Sequence, residues 1–252
     1  MVHKGDNGIL YIVAGSKQYH GALWYAVMAA EPLVDLIYVD TDTSNKSLVN
    51  SLKQLHSSII LVPPRQRATY LNKSDAVLLG PGLGRNSLAR NLVNKIMLHP
   101  QRPAKVVIDA DGLWFLQKKW LDSNMILTPH PGEYKRLFGR LTPAAAARTV
   151  PAVILAKGVR TAICQNGNCE YNTGGIVHLT KGGIGDVLAG VVAGLACTQP
   201  PYQATQLASQ LVAKAEQIIY RRYNRFATTS QLLEQLPLTY KKYFSHESQS
   251  HR

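Results

Sequence analysis

The most informative stretch of this chain is Lys181-Gly182-Gly183-Ile184-Gly185-Asp186, which runs directly into an apolar segment at residues 187–194. The glycines allow a tight turn that points backbone N–H groups at one place, and the apolar segment predicts a buried helix with Asp186 in its first turn. Free amides and the dipole at a helix N-terminus favour an anion such as phosphate. Because Asp186 could take a proton from a neighbouring hydroxyl, the stretch suits a reaction between an alcohol and a nucleotide phosphate.

Outward from this stretch, apolar runs that favour strands alternate with helical patterns. Strands are expected at residues 9–14, 36–40, 58–62, 76–80, 105–109, 124–128, 153–156 and 161–165, the last of which enters a hairpin at Asn166-Gly167. Helices are expected at 21–30, 45–56, 86–98, 112–119, from about 133, from about 187, at about 202–222 and near 229–235. This alternation predicts an α/β fold, with a mostly parallel central sheet, helices on both faces and an antiparallel edge.

No linker-like segment divides the chain, so we expect one domain over residues 1–252, with a polar, disordered tail at about 245–252. The formal net charge is +13, but the basic residues are scattered. A solvated basic surface is the simplest explanation, followed by a field that attracts anionic small molecules and then by nucleic-acid binding. No apolar run approaches the ~20 residues of a membrane span, and the N-terminus does not resemble a signal peptide. We therefore expect a cytoplasmic protein with neither a nucleic-acid nor a membrane partner.

The cysteines predict no metal site. Cys164 and Cys169 flank the predicted hairpin turn and should face each other across it, and Cys197 is the third. An odd number of cysteines without metal-ligand spacing favours reduced thiols in a cytoplasm over a disulfide.

Five loops with unusual chemistry follow predicted strands, at residues 15–16, 80–85, 109–112, 128–133 and 157–161. In open α/β sheets, ligands bind beyond the carboxyl ends of the strands. The five loops therefore predict a single composite site.

Each loop has a functional and a purely structural interpretation. The glycines of Gly80-Pro81-Gly82-Leu83-Gly84 let the backbone approach a phosphate or ribose, although an ordinary turn between strand and helix explains them equally well. In the next loop we expect Asp111 to be a helix N-cap, whereas Asp109 is either a loop-stabilising acceptor or a group linked to Mg²⁺.

The last two loops carry cationic or ionisable side chains. His130 stands between Pro129 and Pro131, which limits its backbone freedom and suits contact with a substrate phosphate or amide. The alternative is a proline-rich loop with Glu133 in the first helical turn. The 157–161 loop offers an ammonium, a guanidinium and a flexible amide to a polyphosphate, or is simply a basic turn.

Taken together, the pattern H-K-G…G-S…G-P-G-L-G…D-A-D…T-P-H-P-G-E…K-G…K-G-G-x-G-D, from His3 to about Gly194, resembles the nucleotide-dependent NAD(P)H-hydrate dehydratases. The resemblance implies a three-layer, ribokinase-like sandwich and a hydro-lyase that repairs hydrated NADH and NADPH. In that family ADP or ATP phosphorylates the hydrate hydroxyl, and elimination of phosphate restores the nicotinamide ring.

The resemblance also implies roles for individual residues. Asp186 would be the catalytic base at the C6 hydroxyl and would contact the substrate together with Ala22, Gly82 and His130. The adenine nucleotide and the transferred phosphate would be held by Lys157, Gly158, Val159, Arg160, Thr161, Gly182, Gly183 and Gly185. Mg²⁺ is expected on the nucleotide phosphates, without a set of metal-ligating side chains. The chain departs from the family at Ile184, where members usually carry Thr or Ser.

We further expect a homo-oligomer, for which a tetramer is one candidate, and a separate NAD(P)H-hydrate epimerase as a working partner. Two other functions remain open at this point. One is a kinase of the same fold that phosphorylates a vitamin-like alcohol and leaves a stable product. The other is a nucleotide-binding protein without catalytic activity.

Overall fold

The computed structural model describes residues 6–172 and 181–243. In this part of the chain, nine strands form one sheet of order β3-β2-β1-β4-β5-β6-β7-β8-β9. The strands are β1 (Ile9–Val13), β2 (Leu36–Asp40), β3 (Ile59–Leu61), β4 (Ala76–Leu79), β5 (Lys105–Ile108), β6 (Met125–Leu127), β7 (Val153–Ala156), β8 (Thr161–Gln165) and β9 (Asn168–Asn172). Strands β1 to β7 pair in parallel, whereas β8 and β9 add an antiparallel edge. The predicted sheet is confirmed.

Helices cover both faces of the sheet. They are α1 (His20–Ala30), α2 (Lys46–Leu55), α3 (Arg67–Leu71), α4 (Ser87–Met97), α5 (Ala110–Phe115), α6 (Pro131–Phe138), α7 (Pro143–Ala146), α8 (Ile184–Thr198), α9 (Pro201–Tyr223) and α10 (Thr229–Tyr243). Leu10 and Ile12 point to the face under α1, α2, α8, α9 and α10, whereas Tyr11 and Val13 point to the opposite face. This period-two alternation of buried side chains produces the predicted three layers.

Helix α8 is packed tightly against α1 because its glycines bring the two backbones together. A Cβ added at Gly190 would lie 2.4 Å from the carbonyl oxygen of Ala26. The packing fixes the N-terminal end of α8, with Asp186 in its first turn, above the carboxyl ends of the parallel strands.

Several predicted features need correction. The sequence patterns missed the short helices α3 and α7, and the last helix continues to Tyr243 with Pro237 inside it instead of ending near residue 235. The prediction of reduced thiols at Cys164 and Cys169 is wrong in this structure, where they form a disulfide. They face each other across the β8–β9 hairpin as expected, and a Cα–Cα separation of 4.2 Å places the sulfurs within bonding reach.

Some predictions concern residues that the structure does not describe. His3, Lys4 and the expected tail at 245–252 lie outside the described residues. Across the two described ranges, no helix combines the length and the apolar character needed to cross a membrane.

Candidate active site

The five loops singled out from the sequence follow β1, β4, β5, β6 and β7, which are consecutive neighbours in the sheet. Hydrogen bonds join one loop to the next: Gly15 N donates to the Pro81 carbonyl (2.8 Å), and Lys157 N donates to the Pro129 carbonyl (2.9 Å). The five loops therefore lie side by side at the carboxyl edge of the sheet, whereas the single composite site stays a prediction.

The glycine-rich turn before α8 is held by side chains from two other helices. Gly183 is the N-cap of α8 and has a φ of +96°, a left-handed conformation that favours glycine. A Cβ at Gly183 would lie 2.4 Å from the ring of Tyr25 on α1. The hydroxyl of Thr229 donates to the Gly182 carbonyl (2.8 Å). The turn therefore has little room for any residue other than glycine at position 183.

Asp186 is the carboxylate that this turn presents. Burial, repulsion from Asp109 and a smaller repulsion from Asp111 raise its pKa to about 7, against a lowering influence of Lys157. A general base works best when its pKa lies near the operating pH, because it is then both available and basic enough. The environment of Asp186 is therefore that of a proton acceptor at neutral pH.

Asp109 anchors the loops beneath Asp186. It is 2% exposed, and its Oδ1 accepts hydrogen bonds from Thr128 Oγ1 (2.7 Å) and Lys157 Nζ (2.7 Å). These bonds agree with the loop-stabilising alternative, whereas the link to Mg²⁺ stays a prediction.

The expected role of Asp111 as an N-cap is wrong. Asp109 occupies that position of α5, without a capping side-chain bond, and Asp111 lies in the first turn. Its carboxylate instead accepts from Gly84 N (2.8 Å) and Arg85 Nε (2.8 Å). Asp111 therefore ties α5 to the Gly80–Gly84 loop, which positions Gly82.

An open cavity of about 1320 Å³ lies beside Asp186 and is lined by Ala22 and Gly82. Gly82 has a φ of +61°, and a Cβ there would lie 2.8 Å from the Cβ atoms of both Ala22 and Tyr19. Three of the four residues implied in substrate binding are thus brought together around one space large enough for a dinucleotide.

His130, the fourth of these residues, does not line this cavity. It is the N-cap of α6: its Nδ1 accepts from Gly132 N (2.9 Å), and its own N–H donates to the Glu133 carboxylate (2.9 Å). Its side chain is 55% exposed, with Nε2 3.3 Å from Glu133 Oε1. A capping role therefore accompanies any contact with substrate.

The 157–161 loop joins β7 to β8, as predicted. A Cβ at Gly185 would lie 3.6 Å from Lys157 Nζ, so the ammonium reaches the first turn of α8. Gly158, Val159 and Arg160 are exposed, Thr161 is half-buried, and the Arg160 guanidinium lies 5.0 Å from the Tyr171 ring. None of these five residues lines the cavity beside Asp186.

Two features of the cavity wall were missed by sequence reasoning. Arg67 lines the cavity and is held by the buried Asp40, and the buried Ser16 Oγ has no hydrogen-bond partner among the described residues. Asp40 could have been recognised from the sequence, because it is a charged residue at the end of the apolar run 36–40. Nothing in the sequence pairs it with Arg67.

Across residues 6–172 and 181–243, no group of three or more His, Cys, Asp or Glu side chains could hold a metal ion. Mg²⁺ keeps several waters and is usually bound by substrate phosphates with one or two carboxylates. Asp186 in the first turn of α8 and the nearby Asp109, which raises its pKa, are two carboxylates of the kind that accompany such an ion on a nucleotide.

The sheet order and the helix layers define an α/β protein with the ribokinase-like fold. The structure matches a ribokinase-like superfamily protein from Enterococcus faecalis V583 with a TM-score of 0.83 and 23% identity, over 96% of this chain and 89% of that one. The family model for NAD(P)H-hydrate dehydratase matches residues 10–238, and the chain belongs to that family.

Individual relatives agree with this assignment. The chain is 31% identical to the ADP-dependent (S)-NAD(P)H-hydrate dehydratase of Listeria monocytogenes, over 96% of this chain and 91% of the relative. The ADP/ATP-dependent NAD(P)H-hydrate dehydratase of Bacillus subtilis, co-crystallized with ATP/Mg²⁺, shares the fold with a TM-score of 0.78 and 23% identity, over 96% and 91% of the two chains. The predicted enzyme class, an NAD(P)H-hydrate dehydratase and therefore a hydro-lyase, is confirmed.

Proposed function

We propose that this protein uses ADP or ATP to dehydrate the (6S)-hydrates of NADH and NADPH, with Asp186 as the catalytic base. The observation that carries the proposal is the position of Asp186: it is a carboxylate with a pKa of about 7, in the first turn of α8, beside a cavity of about 1320 Å³. Family membership and the Listeria relative, whose name specifies the S form and ADP, support this choice of substrate and donor.

The reaction begins with phosphoryl transfer. Asp186 accepts the proton of the C6 hydroxyl as its oxygen attacks the terminal phosphorus of the nucleotide, which leaves as AMP from ADP or as ADP from ATP. Backbone amides of the turn and the dipole at the N-terminus of α8 would stabilise the negative charge on the transferred group. Holding alcohol and phosphorus on either side of one turn supplies much of the rate through orientation.

Elimination completes the repair. Phosphate leaves C6 with the electrons of the C–O bond, a proton is lost from C5, and the C5–C6 double bond of the dihydronicotinamide forms again. Hydroxide is a poor leaving group and phosphate a good one, which is why a phosphoryl donor makes the dehydration easy. Ala22 and Gly82 contribute a close apolar surface for the substrate.

The nucleotide side of the site comprises Lys157, Gly158, Val159, Arg160 and Thr161, together with Gly182, Gly183 and Gly185. The proximity of Lys157 Nζ to Gly185 supports this assignment, since the ammonium then lies where the phosphates meet α8. Mg²⁺, when bound, neutralises phosphate charge, and Asp109, fixed by Lys157 and Thr128, is our candidate to hold it through water. His130 would contact the dinucleotide through its exposed imidazole edge.

The test is recovery of reduced-nicotinamide absorbance from hydrated NADH and NADPH, with ADP, with ATP and without nucleotide. We expect turnover that requires a nucleotide and releases one phosphate per dinucleotide repaired. The variant Asp186→Asn should fold and lose turnover, whereas Asp122→Asn, on an exposed loop remote from the site, should keep it. A stable phosphorylated alcohol as the end product, or nucleotide binding without turnover, would overturn the proposal.

Other aspects of the protein's biology are also proposals. We infer that residues 1–252 form one domain and work in the cytoplasm, because the phosphorylated dinucleotides they repair are intracellular. We also infer a homo-oligomer, with a tetramer as the form to test, since Phe226 (75% exposed) offers apolar surface to a second copy. A separate epimerase would convert the opposite C6 epimer of the hydrate into the S form.

A further inference from the structure

A guanidinium lies on the cavity wall in a position that none of the roles above uses. Arg67, the first residue of α3, donates from Nε to Asp40 Oδ2 (2.6 Å) and from Nη2 to Asp40 Oδ1 (2.9 Å). Asp40 ends β2, is completely buried and also accepts the hydroxyl of Tyr11 (3.0 Å). The two-point contact sets the plane of the guanidinium, because the carboxylate that holds it is buried and is itself bonded to Tyr11.

One edge of this guanidinium remains available for a ligand. The side chain of Arg67 is 28% exposed and lines the cavity. Within the described part of the chain, its Nη1 donates no hydrogen bond. Asp40 also raises the pKa of Arg67 further, so the group stays charged. A rigid, permanently charged fork with free N–H groups matches the geometry of a phosphate.

The position of Arg67 in the fold places it far from Asp186 in the same cavity. Arg67 follows β3, at one edge of the sheet, whereas Asp186 faces Asp109 and Asp111, which follow β5. The Arg67 guanidinium, however, is bonded to Asp40 at the end of β2. Because β2 and β5 are three positions apart in the sheet order, the guanidinium and the end of β5 are separated by roughly 14 Å at the usual strand spacing. A stretched dinucleotide whose nicotinamide ring reaches Asp186 extends its phosphates in this direction.

The charges around Arg67 allow an anion to bind there. Lys17 and Lys95 also line the cavity, as does one nearby carboxylate, Asp42. The carboxylate of Asp42 accepts hydrogen bonds from the N–H (2.9 Å) and the hydroxyl (2.6 Å) of Ser44. These bonds, with smaller effects of Lys17 and His20, lower the pKa of Asp42. Asp42 therefore has hydrogen-bond donors of its own and does not pair with Arg67.

We propose that Arg67, oriented by Asp40, binds a phosphate group of the dinucleotide hydrate. The inference rests on the proposed function and adds a binding contact remote from the reacting atoms. The phosphate belongs either to the pyrophosphate, common to NADH and NADPH, or to the 2′-phosphate that only NADPH carries. Both are phosphate groups with the same chemistry. Loss of a contact to the pyrophosphate would weaken binding of both hydrates, whereas loss of a contact to the 2′-phosphate would weaken binding of NADPH hydrate alone.

The test compares Arg67→Gln with Arg65→Gln, a matched control two residues away whose side chain is exposed and does not line the cavity. For Arg67→Gln we expect KM for the hydrate to rise about tenfold or more with little change in kcat, the usual consequence of losing a charged hydrogen bond made throughout the reaction. A rise for both hydrates assigns the pyrophosphate, and a rise for NADPH hydrate alone assigns the 2′-phosphate. Unchanged KM for both substrates would overturn the inference.

A purely structural role for Arg67 is tested separately, because Arg67→Gln leaves Asp40 without its cation. The double variant Asp40→Asn/Arg67→Gln replaces the ion pair by two neutral amides that can bond to each other. If it is as stable as the wild type and still shows the raised KM, the phosphate contact is supported; a stable double variant with wild-type KM rejects it.

Calorimetric titration with NADH and NADPH gives a readout independent of turnover. Weaker binding to Arg67→Gln in a chain that never repairs the hydrate would refute the proposed function and keep this inference. Normal turnover by the wild type, with unchanged binding to Arg67→Gln, would keep the proposed function and refute this inference.

Discussion

The ammonium of Lys157 donates a 2.7 Å hydrogen bond to Oδ1 of the buried Asp109, and so connects the loop after β7 to the end of β5. Both groups act on Asp186, whose pKa Asp109 raises and Lys157 lowers. The pair therefore links the loop after β7 to the end of β5, and the charges of both residues influence the pKa of the candidate base, Asp186.

Lys157→Met should destabilise the fold and raise the pKa of Asp186, which Lys157 lowers. Because a buried carboxylate loses its cation, we expect the free energy of unfolding to fall by about 3 kcal/mol or more, measured by urea denaturation. Removal of the positive charge should also move the acid limb of the pH profile for the hydrate to higher pH. Lys119→Met, at an exposed position, should change neither quantity. Equal stability of Lys157→Met and wild type would contradict the role assigned to the pair.

The wild-type enzyme should lose activity on acidification, with kcat/KM for the hydrate falling tenfold per pH unit well below about pH 7. Asp186 must be ionised to accept a proton, and its pKa of about 7 sets the position of this limb. The measurement is kcat/KM against pH at fixed ionic strength. A flat profile between pH 5 and pH 7, the range just below the Asp186 pKa, would exclude Asp186 as the base.

Asp186→Asn should be more stable than the wild type at high pH. The pKa of Asp186 is raised from 3.8 in the free side chain to about 7, so the folded state binds more protons than the unfolded state between these values. The wild type therefore loses stability as pH rises through this range, and the variant does not. We expect a gain on the order of 4 kcal/mol at pH 8, vanishing below about pH 4. Thermal unfolding across this range tests it, and a constant difference would contradict it.

Gly183→Ala should damage both fold and activity. The left-handed backbone and the Tyr25 ring, 2.4 Å from the added Cβ, oppose any side chain there. We expect a loss of about 2 kcal/mol in stability and a more than tenfold fall in kcat, because the phosphate turn must shift. Gly182→Ala is the control for stability, since a Cβ at Gly182 meets no atom within 4 Å. Similar losses in the two variants would show that Tyr25 does not constrain the turn.

Two substitutions separate the roles of His130. His130→Ala removes the N-cap of α6 and should cost about 1 kcal/mol, whereas His130→Asn keeps a capping oxygen and should keep stability. Both should raise KM for the hydrate if the imidazole contacts the substrate. A wild-type KM for His130→Asn would leave His130 with a capping role alone.

Local patterns were sufficient for most of the fold. The strand and helix periods, the Asn166-Gly167 turn and the loops after β1, β4, β5, β6 and β7 were all readable, because each depends on neighbours in the sequence. The short helices α3 and α7 were missed, since helices of 5 and 4 residues carry too little periodicity to be recognised. The disulfide was missed because composition says little about how close two facing cysteines lie.

By itself, the sequence determined that a carboxylate stands in a glycine-rich turn at the start of a buried helix, within a chain of alternating strands and helices. That information is local, since glycine conformation, apolar periodicity and helix-terminal charge depend on adjacent residues. Only the tertiary structure decided the chemistry of the site. The pKa of Asp186 depends on Asp109, Asp111 and Lys157, and the guanidinium of Arg67 depends on Asp40, which is 27 residues away. Burial and charge act through space, and only the folded sheet brings these groups within reach of one another.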